Sequence, residues 1–266
     1  MNEPDLRIFS YLPNPRVMKA AIAAKLCNVS LDIVGTKPAE LANWLWDVHP
    51  RPLEAHEKFN HSPHARTAQR GFDGTLFKTD AFLRLQPFGT VPAAFSPDGD
   101  VGIFESNSIL RAVARLGAST RPLYGPNDYE ASRIDAFLDA NLVFAREAQV
   151  YLLEIAGLTK QAHARMVSAY SFYMAGVEAA LSLDTSHLAG NALSIADISF
   201  VCDLAQFLRE GHSVEMLRTQ GFELISANGP ETYPRTFAHL FTLANSPEFA
   251  AVLGSYLDWY HRVKAS

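Results

Sequence analysis

Cysteine is scarce in this chain, since only Cys27 and Cys202 occur among its 266 residues. Two cysteines are too few for a disulfide framework, so a cytoplasmic, reducing location is predicted. No uninterrupted apolar run is long enough to span a bilayer, so no membrane association is expected. The opening residues MNEPDLRIF have no basic flank followed by an apolar run, so no secretory signal is expected either.

The chain also lacks an excess of positive charge, because its formal net charge is -5. Its basic residues are not gathered in one run, which argues against a nucleic-acid partner. With 48% hydrophobic and 19% charged residues the composition is that of an ordinary globular protein. The length suits two small domains packed together.

The first third of the sequence predicts a strand, a helix and a second strand. Residues 5–11 and 29–34 have strand character, and residues 15–27 have the periodicity of a helix. The strands are expected to pair in parallel through a right-handed crossover.

Residues 35–71 differ from what precedes them and are interpreted as an insertion. Residues 35–47 suggest a short helix, whereas 48–71 contain three prolines and four histidines and are predicted to be an irregular surface segment. The histidines have no i, i+4 spacing and no cysteine joins them, so no metal site is predicted.

A proline stands inside the next predicted strand, in the stretch TVPAAF. Together with DVGIFE this stretch predicts a hairpin around the turn SPDG, after a short helix at 79–86. Because proline cannot donate to a sheet ladder, a cis Val91–Pro92 bond is predicted, with the backbone of Val91 free to pair with an extended peptide. Ser106 is the expected N-cap of the following helix, and Glu105 beside it suits an ammonium group.

From residue 127 the sequence predicts helices almost throughout. Long helices are expected at 129–157 and 160–182, and a buried one at 193–208, where Ser194 and Asp197 form a capping box. Two more helices are expected near 235–245 and 247–263. The prediction is therefore an α/β domain at 1–118, with the insertion 35–71, and an all-helical domain at 127–266.

The motifs TVPAAF, DG and FESNSIL, taken in register, resemble the glutathione-binding half of the cytosolic glutathione transferase superfamily. The approach KTDAFLRLQPFGTVP and the helix LSIADISF extend the resemblance over most of the chain. The resemblance is greatest to the group that contains the N-terminal region of elongation factor 1-gamma. It implies a thioredoxin-like N-terminal domain followed by an all-α C-terminal domain, whereas the insertion has no counterpart in the family pattern.

The resemblance also implies a glutathione site. Val91, which precedes Pro92, would hold the cysteinyl backbone. Glu105 and Ser106 would hold the γ-glutamyl end, and Lys78 would reach the glycyl carboxylate. Each of these roles is carried over from the family pattern.

The group that activates the thiol is less evident from the residues. In the family it lies between the first strand and the first helix, and Asn14 falls where some relatives place an asparagine that contacts the sulfur. Asn14 followed by proline is also an ordinary helix start. Ser10 and Tyr11 are alternative donors, and Leu12 stands where many classes have serine or threonine.

Two kinds of function follow from the resemblance. The first is an enzyme in which glutathione thiolate attacks a small hydrophobic electrophile, expected to be aromatic; cleavage of an aryl ether is one such reaction. Its substrate pocket is predicted at Leu12, Phe137, Asn141 and Phe144. The second is a non-catalytic subunit that binds a partner protein, as the elongation-factor group does. Either function is expected in a homodimer or in a heterodimer with a related chain.

Overall fold

The computed structural model of this chain describes residues 3–59, 61–68, 72 and 74–257. Its first half contains eight short strands and three helices. In chain order these are β1 Leu6–Tyr11, α1 Pro15–Cys27, β2 Leu31–Thr36, β3 Trp44–Trp46, β4 Arg51–Pro52, β5 Ala65–Thr67, β6 Thr75–Lys78, α2 Asp80–Leu85, β7 Ala93–Phe95, β8 Gly102–Phe104 and α3 Ser106–Leu116.

The four strands of the main sheet have the order β2-β1-β7-β8. Strands β1 and β2 are parallel, and β7 is antiparallel to both β1 and β8. The predicted strand–helix–strand unit and the predicted hairpin are therefore confirmed. Helix α1 begins at Pro15 after the cap Asn14 and ends at Cys27, where the C-cap Asn28 adopts the left-handed region with φ 57°.

The insertion folds into a second sheet of order β4-β3-β6-β5. The prediction that 48–71 is irregular is wrong, because β4 and β5 lie within it. Its described residues other than Val48 are half-buried or exposed, as expected for a surface segment. The short helix expected at 35–47 is a 3₁₀ turn at Pro38–Asn43 followed by β3. Strands of two or three residues are too short to show alternation, and for this reason the sequence pattern did not reveal them.

The second sheet packs against the main sheet through an aromatic cluster. Trp46 is fully buried and makes edge-to-face contacts with Phe9 and Phe82 at ring-centroid distances of 5.5 and 5.9 Å. Phe9 belongs to β1 of the main sheet, so the two sheets share this aromatic cluster. The inserted residues therefore extend the α/β part of the chain.

The second half of the chain is helical, as predicted. Its helices are α4 Asp128–Glu154, α5 Lys160–Ala180, α6 Ile195–Phe207, α7 Val214–Thr219, α8 Gly229–Thr232, α9 Pro234–Ala244 and α10 Pro247–Leu253. Ser194 and Asp197 form the predicted capping box at the start of α6. The helix expected at 247–263 is shorter, since a 3₁₀ turn follows at Gly254–Leu257 and the remaining residues lie outside the described part. The short helices α7 and α8 were not predicted.

One apolar cluster runs from Leu6 to Leu257 and joins both halves of the chain. Helix α1 packs against α3 on one side and against α6 of the helical half on another. The start of α1 is thus fixed by both halves. We keep 1–118 and 127–266 as the proposed division into domains. Within the described residues, no helix is long and apolar enough to cross a membrane.

Candidate functional site

Tyr11, Val91 and Glu105 lie at one end of three adjacent strands of the main sheet. The ladder between β1 and β7 pairs Phe9 with Ala93, and the ladder between β7 and β8 pairs Ala93 with Phe104. Tyr11 extends beyond Phe9, Val91 precedes Ala93, and Glu105 follows Phe104. The strand register therefore brings together the motifs that the sequence placed far apart.

The backbone of Val91 is available to a ligand. The Val91–Pro92 bond is cis, as predicted. None of the hydrogen bonds among the described residues uses the N–H or the C=O of Val91. An unpaired donor and acceptor beyond a strand end can take up an extended peptide by strand addition.

Glu105 lies directly before α3 in an unusual backbone conformation. Its φ is 66° and its ψ is 127°, a region that costs a residue with a side chain about 1–3 kcal/mol. Its side chain is exposed and does not cap the helix. The expectation that Ser106 is the N-cap is wrong, because Glu105 holds that position and Ser106 is the first helical residue. Strain before a helix N-terminus is characteristic of ligand sites.

Lys78 and Gln86 fix the loop before Val91. Lys78 is buried, its Nζ donates to Gly89 O at 2.8 Å, and it lies 4.9 Å from the centre of the Trp46 ring. Burial holds the pKa of Lys78 below its usual value. Gln86 Nε2 donates to Thr90 O at 2.9 Å. Lys78 thus contacts the loop, and its predicted contact with a glycyl carboxylate stays a prediction.

Asn14 caps α1, as one of the two interpretations of the sequence expected. Its Oδ1 accepts from the N–H of Arg16 at 3.0 Å, and its Nδ2 donates to Ser10 Oγ at 2.9 Å. The side chain is 1% exposed, and Ser10 is buried beside it. The side chains of Asn14 and Ser10 are therefore hydrogen-bonded to each other and buried. Contact between Asn14 and a ligand sulfur stays a prediction.

Tyr11 is the accessible donor of this loop. It is half-buried, and its hydroxyl forms no hydrogen bond with any residue that the structure describes. Tyr11 and Val91 pack against the same aromatic cluster around Trp46, so they share one face of the sheet. Burial raises the pKa of Tyr11, while the charges of Arg16 and Arg209 act in the opposite direction. Tyr11 therefore keeps its proton as a hydrogen-bond donor.

Two of the predicted pocket residues belong to the core of the helical half. Asn141 is 1% exposed and bonds Tyr173 and Ser199, and the Phe144 ring stacks on Tyr173 at 4.6 Å. The prediction that Asn141 and Phe144 line a substrate pocket is wrong, because their helix face points into the bundle. Leu12 and Phe137 are half-buried against the same core, and their place in a pocket stays a prediction.

Comparison with solved structures shows which fold this is. A glutathione transferase from Phanerochaete chrysosporium, solved with oxidized glutathione, aligns over 100% of this chain and 99% of its own, with a TM-score of 0.65 and 17% identity. One from Methylobacillus flagellatus, solved with glutathione bound, aligns over 93% of this chain and 98% of its own, with a TM-score of 0.64 and 12% identity. This chain has the glutathione transferase fold.

Similarity in sequence points to the same superfamily. Elongation factor 1-gamma of Prunus avium is 31% identical over 189 residues, which are 68% of this chain and 40% of that protein. Glutathione S-transferase F9 of Arabidopsis thaliana is 35% identical over 139 residues, which are 46% of this chain and 60% of that protein. The resemblance inferred from the motifs is confirmed. The chain spans about 40% of the length of the elongation factors that it matches, and no family model matches it.

The sequence motifs predicted that the site lies at these strand ends, but they did not identify every residue there. They favoured Asn14 over Tyr11 as the donor to the sulfur, because a motif does not show which side chain is accessible. Gln86 and the pairing of Lys78 with Gly89 were missed, since both depend on a loop conformation. The described residues contain no group of three or more potential metal ligands.

Proposed function

We propose that this protein binds glutathione at the shared end of β1, β7 and β8. The unpaired backbone groups of Val91 carry this proposal, because they offer one donor and one acceptor to the cysteinyl unit. The exposed carboxylate of Glu105 suits the ammonium of the γ-glutamyl unit. The first N–H groups of α3, with Ser106, suit its carboxylate.

The proposed chemistry is attack by the glutathione thiolate on an electrophilic carbon. A carbon–sulfur bond forms, the bond to the leaving group breaks, the leaving group departs with its electron pair, and the thiol proton passes to solvent. The acceptor is a small, largely aromatic electrophile. Where the leaving group is an aryloxide, the same step cleaves an aryl ether.

Tyr11 is the proposed donor to the sulfur. Its hydroxyl has no other partner among the described residues, and it lies beyond Phe9 on the strand next to Val91. A hydrogen bond to the thiolate stabilises the charged form and lowers the thiol pKa. The competing hypothesis is that Asn14 donates to the sulfur. The two hypotheses differ in which single variant, Tyr11→Phe or Asn14→Ala, raises the pKa of the bound thiol.

Calorimetric titration with glutathione tests the site, and a thiol-consumption assay with 1-chloro-2,4-dinitrobenzene tests the chemistry. Two results together support the proposed enzyme: glutathione binds wild type more tightly than Glu105→Ala, and wild type consumes the thiol in the presence of the electrophile. No binding to wild type would refute the proposed site. Arg218→Gln is a suitable control, because Arg218 lies on the exposed helix α7 and pairs with Glu215 of the same helix.

A non-catalytic subunit is the second candidate function. It is supported by the similarity to elongation factor 1-gamma, which extends over 68% of this chain. Glutathione binding without turnover, alone and with any co-expressed homologue, would favour it. For either function we propose a cytosolic dimer of like or unlike chains. Both cysteines are free and buried, as suits a reducing compartment.

A further inference from the structure

A cleft of about 480 Å³ lies where the two halves of the chain meet, away from the proposed glutathione site. Apolar side chains from three helices line it, namely Leu26 of α1, Leu243 of α9 and Phe249 of α10. Leu26 stands near the end of α1, about 18 Å along the helix axis from Asn14 at its start. The volume of the cleft is in the range of small-molecule sites.

Hydrogen bonds within the loop 186–191 fix one wall of this cleft. Asn191 Oδ1 accepts from the N–H of Ser186 at 3.3 Å, and Ser186 Oγ donates to Asn191 O at 3.1 Å. The N–H of Leu188 donates to Asp197 Oδ1 at 3.0 Å, which joins the loop to α6. This wall is held by the protein's own contacts, so it is formed without a ligand, as is usual for small-molecule sites.

Glu248 places a carboxylate without a partner in the cleft. It lies in the first turn of α10, is half-buried, and forms no hydrogen bond or ion pair with any described residue. Every other aspartate or glutamate of the described part that is at least half-buried has such a partner. Partial removal of a carboxylate from water is costly unless a cation pairs with it. A cationic group of a ligand would supply that pairing.

The opposite charge in the lining comes from Arg121 of the linker between the halves. Arg121 forms no ion pair with Glu248, so a gap separates the two groups. Asn191 also lines the cleft, and its Nδ2 has no acceptor among the described residues. Burial lowers the pKa of His187, the third titratable group of the lining, so its ring is uncharged at neutral pH. The cleft therefore presents one positive charge, one negative charge and an apolar surface.

We propose that this cleft is a second binding site, for a free α-amino acid with a large apolar side chain. An α-amino acid carries an ammonium, a carboxylate and a side chain on one carbon. The ammonium pairs with Glu248, and the carboxylate accepts from the guanidinium of Arg121 and from Asn191 Nδ2. The side chain covers Leu243 and Phe249. The site does not depend on the proposed glutathione site, because it lies at the other end of α1.

Three matched ligands test the two charged contacts by calorimetric titration of the full chain. L-phenylalanine has both charges, N-acetyl-L-phenylalanine lacks the ammonium, and L-phenylalaninamide lacks the carboxylate. We expect wild type to bind L-phenylalanine about tenfold more tightly than either analogue, since each analogue loses one charge-assisted contact. If L-phenylalanine does not bind, or binds no more tightly than its analogues, the inference is wrong.

Single variants assign each contact to its residue. Glu248→Gln should weaken L-phenylalanine by about tenfold and leave N-acetyl-L-phenylalanine unchanged, because that analogue has no ammonium to lose. Arg121→Gln should weaken L-phenylalanine by a similar factor and leave L-phenylalaninamide unchanged. Arg218→Gln is the control and should bind all three ligands as wild type does. A purely structural role would weaken the three ligands alike, and that result, or no change in either variant, would overturn the inference.

Glutathione separates this site from the proposed glutathione site. L-phenylalanine should bind with the same affinity in the presence of saturating glutathione, and Glu248→Gln should bind glutathione as wild type does. Displacement of L-phenylalanine by glutathione would place both ligands at one site and refute the second site. If L-phenylalanine shows the expected pattern and glutathione does not bind, the second site is supported and the proposed function alone fails.

Discussion

The ammonium nitrogen of Lys19 lies 2.6 Å from a carboxylate oxygen of Asp203, and both side chains are buried. Lys19 belongs to α1 and Asp203 to α6, so the pair joins the two halves of the chain. Lys19 Nζ also donates to Asn107 Oδ1 of α3 at 2.9 Å. This pair holds α1, the helix that follows the proposed thiol donor Tyr11 in the chain.

Removing one partner of this pair should be strongly destabilising. We expect Lys19→Met to lower the free energy of unfolding by about 3–5 kcal/mol, because it leaves the Asp203 carboxylate buried without a counter-charge. The double variant Lys19→Met/Asp203→Leu should recover part of the loss. Urea unfolding of the four proteins in this cycle measures the coupling. If Lys19→Met and the double variant have the same unfolding free energy, the expected recovery is contradicted.

Asp197 should make stability depend on pH in the acid range. Burial opposes its charge, but hydrogen bonds from His239, Leu188 and Ser194 hold its pKa below the ordinary value. A carboxyl with a lowered folded-state pKa stabilises the fold above its unfolded-state pKa. That contribution is lost as the pH falls toward the folded-state value.

Asp197→Asn is therefore expected to destabilise the protein at pH 6, and progressively less as the pH falls below about 4, the ordinary value for this carboxyl. The difference in unfolding free energy between wild type and variant should shrink steadily through the acid range. Chemical denaturation at a series of pH values provides this difference. If it is constant with pH, the carboxylate contributes no linked proton and the prediction fails.

Glu105 combines binding with backbone strain, and two substitutions separate them. Glu105→Ala should weaken glutathione binding by about 1.5–3 kcal/mol, the range for a lost charge-assisted hydrogen bond. Glu105→Gly should weaken binding equally, yet raise the unfolding free energy by about 1 kcal/mol over the alanine variant, because glycine adopts φ 66° without strain. Calorimetry and urea unfolding measure the two effects. Unchanged binding in both variants would mean that the site is misplaced.

Trp46 tests whether the inserted sheet belongs to the core. Trp46→Ala should lower the unfolding free energy by about 3–5 kcal/mol, as for other large-to-small changes at buried aromatic positions. Phe59 is 50% exposed and lies in the same insertion, so Phe59→Ala serves as a control with little expected effect. If the two variants lower the unfolding free energy equally, Trp46 is not part of a stabilising core and the prediction is wrong.

The parts of the fold that could be predicted are those with a clear local sequence pattern. The cis bond at Val91–Pro92 followed from a proline inside a strand pattern, and the capping box at Ser194 from two residues at fixed spacing. The sheet around Trp46 was not predictable, because its strands are only two to four residues long and show no clear alternation. The core positions of Asn141 and Phe144 depend on the rotation of α4, which a mixed helix pattern does not determine.

The last prediction separates Tyr11 from Asn14 as the donor to the sulfur. If Tyr11 donates, Tyr11→Phe should raise the pKa of the bound glutathione thiol by roughly one to two units, because the thiolate loses a charge-assisted hydrogen bond. The pH–rate profile should shift to higher pH by the same amount. Affinity for glutathione should change little, since Val91, Glu105 and Ser106 are proposed to hold its backbone.

Asn14 should behave as a structural cap in the same experiment. Asn14→Ser is expected to keep both stability and thiol pKa, because serine caps a helix about as well as asparagine. Asn14→Ala should cost about 1 kcal/mol of stability without moving the thiol pKa. Titration of the thiolate absorbance of bound glutathione measures all three variants. A raised pKa in Asn14→Ala, with no change in Tyr11→Phe, would reverse the assignment and make Asn14 the donor.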